Sequence, residues 1–215
     1  MVFSQRLYEI QQTKQTTLAL TLSPKLAKMP LPIQKYDDPF LPFSKAIIDA
    51  THDRLCAYLF DLGAYLALGG AGAVALERSI AYARAQGDVL TILHGLFKTT
   101  QYLEVGGPGG FNVDAATVVR SGSDNEVIST YSHGMNEGVI FLQDGYAGVR
   151  LPPIPAPAEF TEDLSKIQIM SPQIPGFVIQ MHIVGDEVLY AGQRDDFEAQ
   201  VRAALEAKLE ALHRP

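Results

Sequence analysis

A chain of 215 residues with 47% apolar and 19% charged side chains is long enough to bury the core of one globular domain. Its formal net charge of −7, with no lysine- or arginine-rich stripe, excludes nucleic acid as an expected partner. One cysteine, Cys56, rules out an intrachain disulfide. No apolar run approaches the ~20 residues of a membrane span, and no basic-then-apolar leader opens the chain, so a cytoplasmic protein without a membrane partner is expected.

In chain order, Phe3, Leu7 and Ile10 share one side of a short helix over residues 3–14. A strand follows at Thr17 to Leu22 and stops at Ser23-Pro24. Residues 29–42 carry four prolines and read as a loop. Phe43 to Leu55 is expected to be helical and Cys56 to Leu62 a strand. Residues 72–86 form an amphipathic helix with Val74, Leu76, Ile80 and Ala83 on its buried face and Gly87 at its C-terminal stop. Asp88 to Leu93, Val113 to Val119 and Gly138 to Leu142 are strands, with a short helix from Asp124 to Tyr131 between the last two.

The proline-rich stretch 144–157 lacks the N–H donors of a helix interior or central strand, although Gly148 to Leu151 allows a brief strand. Thr161 to Ile169 reads as helix, Phe177 to Met181 and Glu187 to Tyr190 as strands, and Asp195 to His213 as a closing helix. Strands alternating with helices predict an α/β fold with a parallel sheet, and the strand count favours a (β/α)8 barrel in one domain, residues 1–215. Residues 105–111 and 144–157 are too rich in glycine and proline for the helices a complete barrel places there, so erosion is expected at both.

Two stretches carry a family resemblance. FLPFSKAIIDATHDRLCAYLFDLGAYLALGGAGAVALERSIAYAR, residues 40–84, and EVLYAGQRDDFEAQVRAAL, residues 187–205, resemble the bacterial orotidine 5′-phosphate decarboxylases. Weaker similarity runs through residues 3–30, 113–119 and 162–180. The resemblance implies a TIM-type barrel with its site at the C-terminal strand ends. It also implies a cofactor-free decarboxylation driven by a Lys–Asp–Lys–Asp network, and dimer formation.

The charged positions of that network are replaced here. Ser23 stands where the first strand of the family ends in Asp, and Leu59 where the second ends in Lys. His94-Gly95-Leu96-Phe97-Lys98-Thr99 stands in place of Asp-x-Lys-x-x-Asp. The glycine-rich phosphate loop is matched by Ile179-Gln180-Met181-His182-Ile183, and Asp186 replaces an Arg. Exchanging cation for anion there is worth ~4 kcal/mol per charge at ~4 Å and an effective dielectric of ~20. Preorganised electrostatics needs its charges, so the ancestral chemistry should fail.

The expected function is therefore a noncatalytic homologue serving as a binding or assembly subunit, as a homodimer or with a related barrel, with a small molecule as a further possible partner. Ser23, Asp61, Lys98, Gln180 and His182 are the candidate ligand-binding residues. The alternatives are a barrel enzyme of changed chemistry, a lyase or hydrolase with His94 as acid/base, and a working orotidine 5′-phosphate decarboxylase of pyrimidine biosynthesis. His94, His182, Asp61 and Asp144 match no metal-ligand spacing, so neither metal nor cofactor is expected. Ser132-His133 precede a strand, Gly106 to Gly110 lacks the Lys-Ser/Thr of a phosphate loop, and Cys56 reads as core.

Overall fold

The computed structural model describes residues 3–95, 103–119, 138–143, 146–147, 166–170 and 178–213. Helix α1, Phe3–Lys14, leads into strand β1, Leu18–Leu22. Helix α2 spans Phe40–Thr51, strand β2 Ala57–Asp61, helix α3 Leu62–Leu66 and helix α4 Gly69–Ala85. Strand β3, Leu90–His94, precedes the short helix α5, Leu103–Gly106, and strand β4, Ala115–Val119. Strands β5, Gly138–Gln143, β6, Tyr146–Ala147, β7, Lys166–Met170, and β8, Val178–Val184, complete the sheet. Helices α6, Asp186–Leu189, and α7, Phe197–His213, close the chain.

The sheet order is β6-β5-β4-β3-β2-β1-β8-β7. From β5 through β1 to β8 all neighbours are parallel, whereas β6 and β7 are antiparallel to β5 and β8. The strands form an α/β half-barrel: β8 returns beside β1 as in a barrel, and both ends turn back into antiparallel pairs.

Alternation along the strands sorts the core into two faces. Leu18, Leu20, Leu22, Tyr58, Phe60 and Leu93 pack outward against the faces of α2, α4 and α7. Ala19, Ala57, Leu59, Leu90, Ile92, Ala115 and Met181 face inward, where Phe3 and Leu7 of α1 cover them. Those two side chains, one helical turn apart, are 4% and 0% exposed. Burying each contributes ~2 kcal/mol toward holding α1 across the concave face.

Several expected elements change type or extent. Lys166–Met170 is a strand rather than the end of a helix over Thr161 to Ile169, because Ile167 and Ile169 alternate with polar residues and pair with Met181 and Ile179 of β8. Strand β8 runs on to Val184, past the expected stop at Met181, because its ladder with β1 continues to Leu20↔Val184. Glu187 to Tyr190 is consequently not a strand; Asp186 and Glu187 supply the acidic first turn of α6.

Helix α2 begins at Phe40, with Pro42 tolerated in its first turn, and ends at Thr51 before a 3₁₀ turn at His52–Arg54. A second such turn, Ile33–Lys35, lies in the proline-rich loop. In α4 the buried face is Ala75, Leu76, Ser79, Ile80 and Ala83, while Val74 is 45% exposed. Residues 107–111 turn tightly after α5, and a Cβ on Gly110 would meet Val105 O at 2.1 Å, so only glycine fits there. The expected helix Asp124 to Tyr131, strand Gly148 to Leu151, Ser132-His133, Lys98 and Asp144 lie outside the described residues.

Candidate functional site

Strand register builds the concave face in layers. Thr21 pairs with Leu59, Leu59 with Ile92 and Ile92 with Ala115, giving an uncharged layer with Leu59 at 0% exposure. Two residues further along each strand lies a polar row at the C-terminal ends: Ser23, Asp61, His94 and Thr117. Asp61 and His94 are register partners. Ser23 Oγ donates to Asp61 Oδ2 at 3.3 Å, and His94 Nδ1 lies 3.2 Å from Thr117 Oγ1.

Asp61 also caps α3, accepting from the Ala64 N–H at 3.1 Å. Burial holds the His94 imidazole below its ordinary pKa, although the Asp61 charge pulls the other way. The imidazole is therefore neutral at physiological pH. A cleft of about 540 Å³ opens beside Ser23 and Asp61, with Lys25, Leu26, Phe40 and Leu68 also in its walls.

A second cluster borders this mouth. Asp186 Oδ2 accepts from Lys25 Nζ at 2.7 Å and Lys28 Nζ at 2.8 Å. Burial raises the Asp186 pKa, but the hydrogen bonds and charges of the two lysines outweigh it and hold the carboxyl below its usual value. Tyr190 Oη accepts from the Lys25 N–H at 2.7 Å and donates to Ser23 O at 2.8 Å, clamping the loop after β1 to the end of α6. Asp186 is thus no lone anion. Two ammonium groups face one carboxylate, which corrects the expectation of a mouth made repulsive to phosphate at this position.

Two candidates stand away from the mouth. His182 is the register partner of Leu18, five residues before Ser23, which at ~3.3 Å per residue is ~16 Å from the polar row. Its Nδ1 lies 2.9 Å from Thr17 Oγ1. The Gln180 carbonyl accepts from Gln11 Nε2 of α1 at 2.8 Å, also at the N-terminal strand ends. The resemblance matches both to a phosphate loop at a strand end, whereas β8 runs through Val184 and holds both in its body.

Ser23, Asp61 and His94 are brought together, and Lys98 falls outside the described residues. Among the described residues no group of three His, Cys, Asp or Glu could hold a metal, and no helix is long and apolar enough to cross a membrane. Burial pushes the Cys56 thiol up to about 12, in keeping with a core position. The sequence reading missed Thr117, Tyr190 and the Lys25–Lys28 pair. Thr117 had a signal, as an isolated hydroxyl on the inward register of an otherwise apolar strand.

No family model matches the chain. Orotidine 5′-phosphate decarboxylase from Parabacteroides distasonis is 40% identical over 80 residues, covering 37% of this chain and 29% of the relative. The Flavobacterium johnsoniae enzyme of the same name is 36% identical over 90 residues, 41% of this chain and 33% of the relative. The chain thus aligns with about a third or less of these curated relatives. Among solved structures, the Leishmania donovani OMP decarboxylase superimposes with a TM-score of 0.58 at 15% identity, covering 99% of this chain and 98% of that one. A Streptomyces avermitilis structure described as an orotidine 5′-phosphate decarboxylase gives a TM-score of 0.68 at 14% identity, covering 99% and 96%. At such identities the superposition speaks for the fold alone. Over 80 to 90 residues the chain is similar in sequence to orotidine 5′-phosphate decarboxylases, and over nearly all of its length it shares the fold of the solved ones.

Proposed function

We propose that this chain is a noncatalytic homologue of orotidine 5′-phosphate decarboxylase, a binding or assembly subunit with a small-molecule mouth. The observation that carries this reading is Leu59. It is wholly buried at the position matching the strand-end lysine of the family, between Thr21 and Ile92. Decarboxylation leaves an electron pair on carbon, and a fixed cation at that point is what lowers the barrier. A leucine supplies none. The row above it holds one carboxylate and one neutral imidazole, and among the described residues it holds no lysine.

Assembly with a second barrel, its own copy or a related one, draws support from Leu26 and Leu66. They are 49% and 45% exposed on segments bordering the cleft. The chain should release no uracil nucleotide from orotidine 5′-monophosphate above the buffer rate; measurable turnover would overturn the reading and restore a working decarboxylase. Light scattering tests assembly, and a monodisperse monomer, alone and mixed with an active relative, would count against it.

A second reading, a lyase or hydrolase of changed chemistry, is favoured by one observation. Burial holds the His94 imidazole below its ordinary pKa, and its Nδ1 lies against Thr117 at the C-terminal end of β3, a strand-end position suited to an acid/base. Loss of a newly found activity in His94→Gln would establish it.

A further inference from the structure

The hydrogens of the polar row can be counted. Thr117 Oγ1 has one proton and three neighbours: the Gly95 N–H at 2.9 Å, which donates to it, Gly95 O at 3.1 Å, which only accepts, and His94 Nδ1 at 3.2 Å. All three contacts are satisfied together in one arrangement. Thr117 donates to Gly95 O, and His94 Nδ1 donates to Thr117. The reverse, with Thr117 donating to Nδ1, leaves the Gly95 O contact without a hydrogen. Ser23 spends its proton in the same way, on Asp61 Oδ2.

The protons carried by these three side chains are therefore consumed within the site. What remains are lone pairs on Ser23 Oγ, on the Asp61 carboxylate and on His94 Nε2. A neutral imidazole beside one carboxylate also leaves this row with a negative charge, and the 540 Å³ cleft adjoins Ser23 and Asp61.

We infer that Thr117 is a positioning residue that fixes His94 as the Nδ1–H tautomer, making the row a set of acceptors that binds a small uncharged or cationic ligand through its N–H or O–H groups. This rests on reading the mouth as a binding site. It adds the class of ligand and the atom, His94 Nε2, that meets it. An anionic acceptor finds no free hydrogen in this row, so carboxylates should be rejected there.

The test is nitrogen-15 NMR of the imidazole in the full chain, with ethanolammonium and acetate as probes. The wild type should show a protonated Nδ1 and an unprotonated Nε2. Ethanolammonium should shift the His94 Nε2 signal saturably while acetate leaves it still. Thr117→Val should mix the tautomers and weaken ethanolammonium binding roughly fivefold, the worth of one neutral hydrogen bond, and Thr117→Ser should restore both.

An Nε2–H tautomer in the wild type, a saturable response to acetate, or no response to either probe would each overturn the inference. If Thr117→Val does not fold, the wild-type spectrum and Thr117→Ser decide it. Turnover of orotidine 5′-monophosphate would sink the noncatalytic reading without changing the tautomer. The wrong tautomer would sink this inference without restoring turnover.

Discussion

A buried and a half-buried carboxylate mark the two ends of the sheet, and they are held very differently. Asp114, entering β4 at the N-terminal end, accepts from the Thr91 N–H and Thr91 Oγ1, both at 2.9 Å. It is also paired with Arg6 of α1 and Arg84 of α4, and its side chain is 6% exposed. Asp61, at the other end, accepts only from a hydroxyl and a backbone amide and has no cation on it among the described residues. The first arrangement is closed: its charge is neutralised and its neighbours tie α1, α4 and two strands together. The second keeps lone pairs unspent beside a cleft. In a barrel the N-terminal end carries stability and the C-terminal end carries sites, and these two aspartates divide along that line.

The largest effect expected comes from putting a charge into the uncharged layer beneath the polar row. Leu59→Lys places an ammonium in a layer that is wholly buried. Burial lowers a lysine pKa by up to ~3–5 units, and each unit is ~1.4 kcal/mol, so a stability loss of ~4 kcal/mol at neutral pH is expected. Because the folded-state pKa is depressed, the penalty should be full at neutral pH and shrink as pH rises toward the unfolded value near ~10.4. Urea melts at several pH values measure it. A loss below ~1 kcal/mol would mean the layer is wet and tolerant of charge, and would remove the main support for the noncatalytic reading.

Asp114→Ala should come next, at ~3 kcal/mol, because it leaves two guanidinium groups and two Thr91 donors without their shared acceptor. Urea melts measure the loss, and hydrogen exchange should show α1 loosening through faster amide exchange at Leu7 and Gln11. A change under ~1 kcal/mol would erase the contrast between the two ends.

The sequence disclosed the scaffold better than the site, for a physical reason. Period-2 and period-3.6 apolar patterns report burial directly, so α1, β1, β2 and β3 are legible within two residues and α4 within three. Lys166–Met170 and Glu187–Tyr190 were not: each is a short run of both hydrophobic and polar residues, and sheet pairing with β8 decides its state. Ser23, Asp61 and His94 were legible because each follows or ends an apolar strand. His182 and Gln180 are matched by the resemblance to a strand-end loop, but parallel pairing with β1 sets them in the body of β8, with His182 opposite Leu18. Neutralisation of Asp186 by Lys25 and Lys28 spans most of the chain, and local pattern carries no trace of it.

Asp61→Ala should cost less than either core change, ~1 kcal/mol, by removing the cap of α3 and the partner of Ser23. Asp61→Asn keeps an acceptor for the Ala64 N–H and should recover most of that. Thermal melts distinguish them, and equal losses in both variants would assign the effect to charge rather than to capping.

The smallest effect isolates the neutral imidazole. His94 has a folded-state pKa below its ordinary 6.5 because burial penalises the charged ring, with Asp61 on β2 opposing it. Below that ordinary value the unfolded chain binds the proton more readily than the folded one. The contribution to stability is therefore fully present above about 6.5 and is lost as pH falls through the folded-state pKa. The stability advantage of the wild type over His94→Gln should shrink between about pH 8 and about pH 5. Asp61→Asn should enlarge that shrinkage, because removing the carboxylate removes the one influence raising the imidazole pKa. A difference that stays flat would mean that burial does not shift the imidazole at all; one that grows on acidification would mean that the folded chain holds the proton more tightly, and the mouth would then be a donor rather than an acceptor.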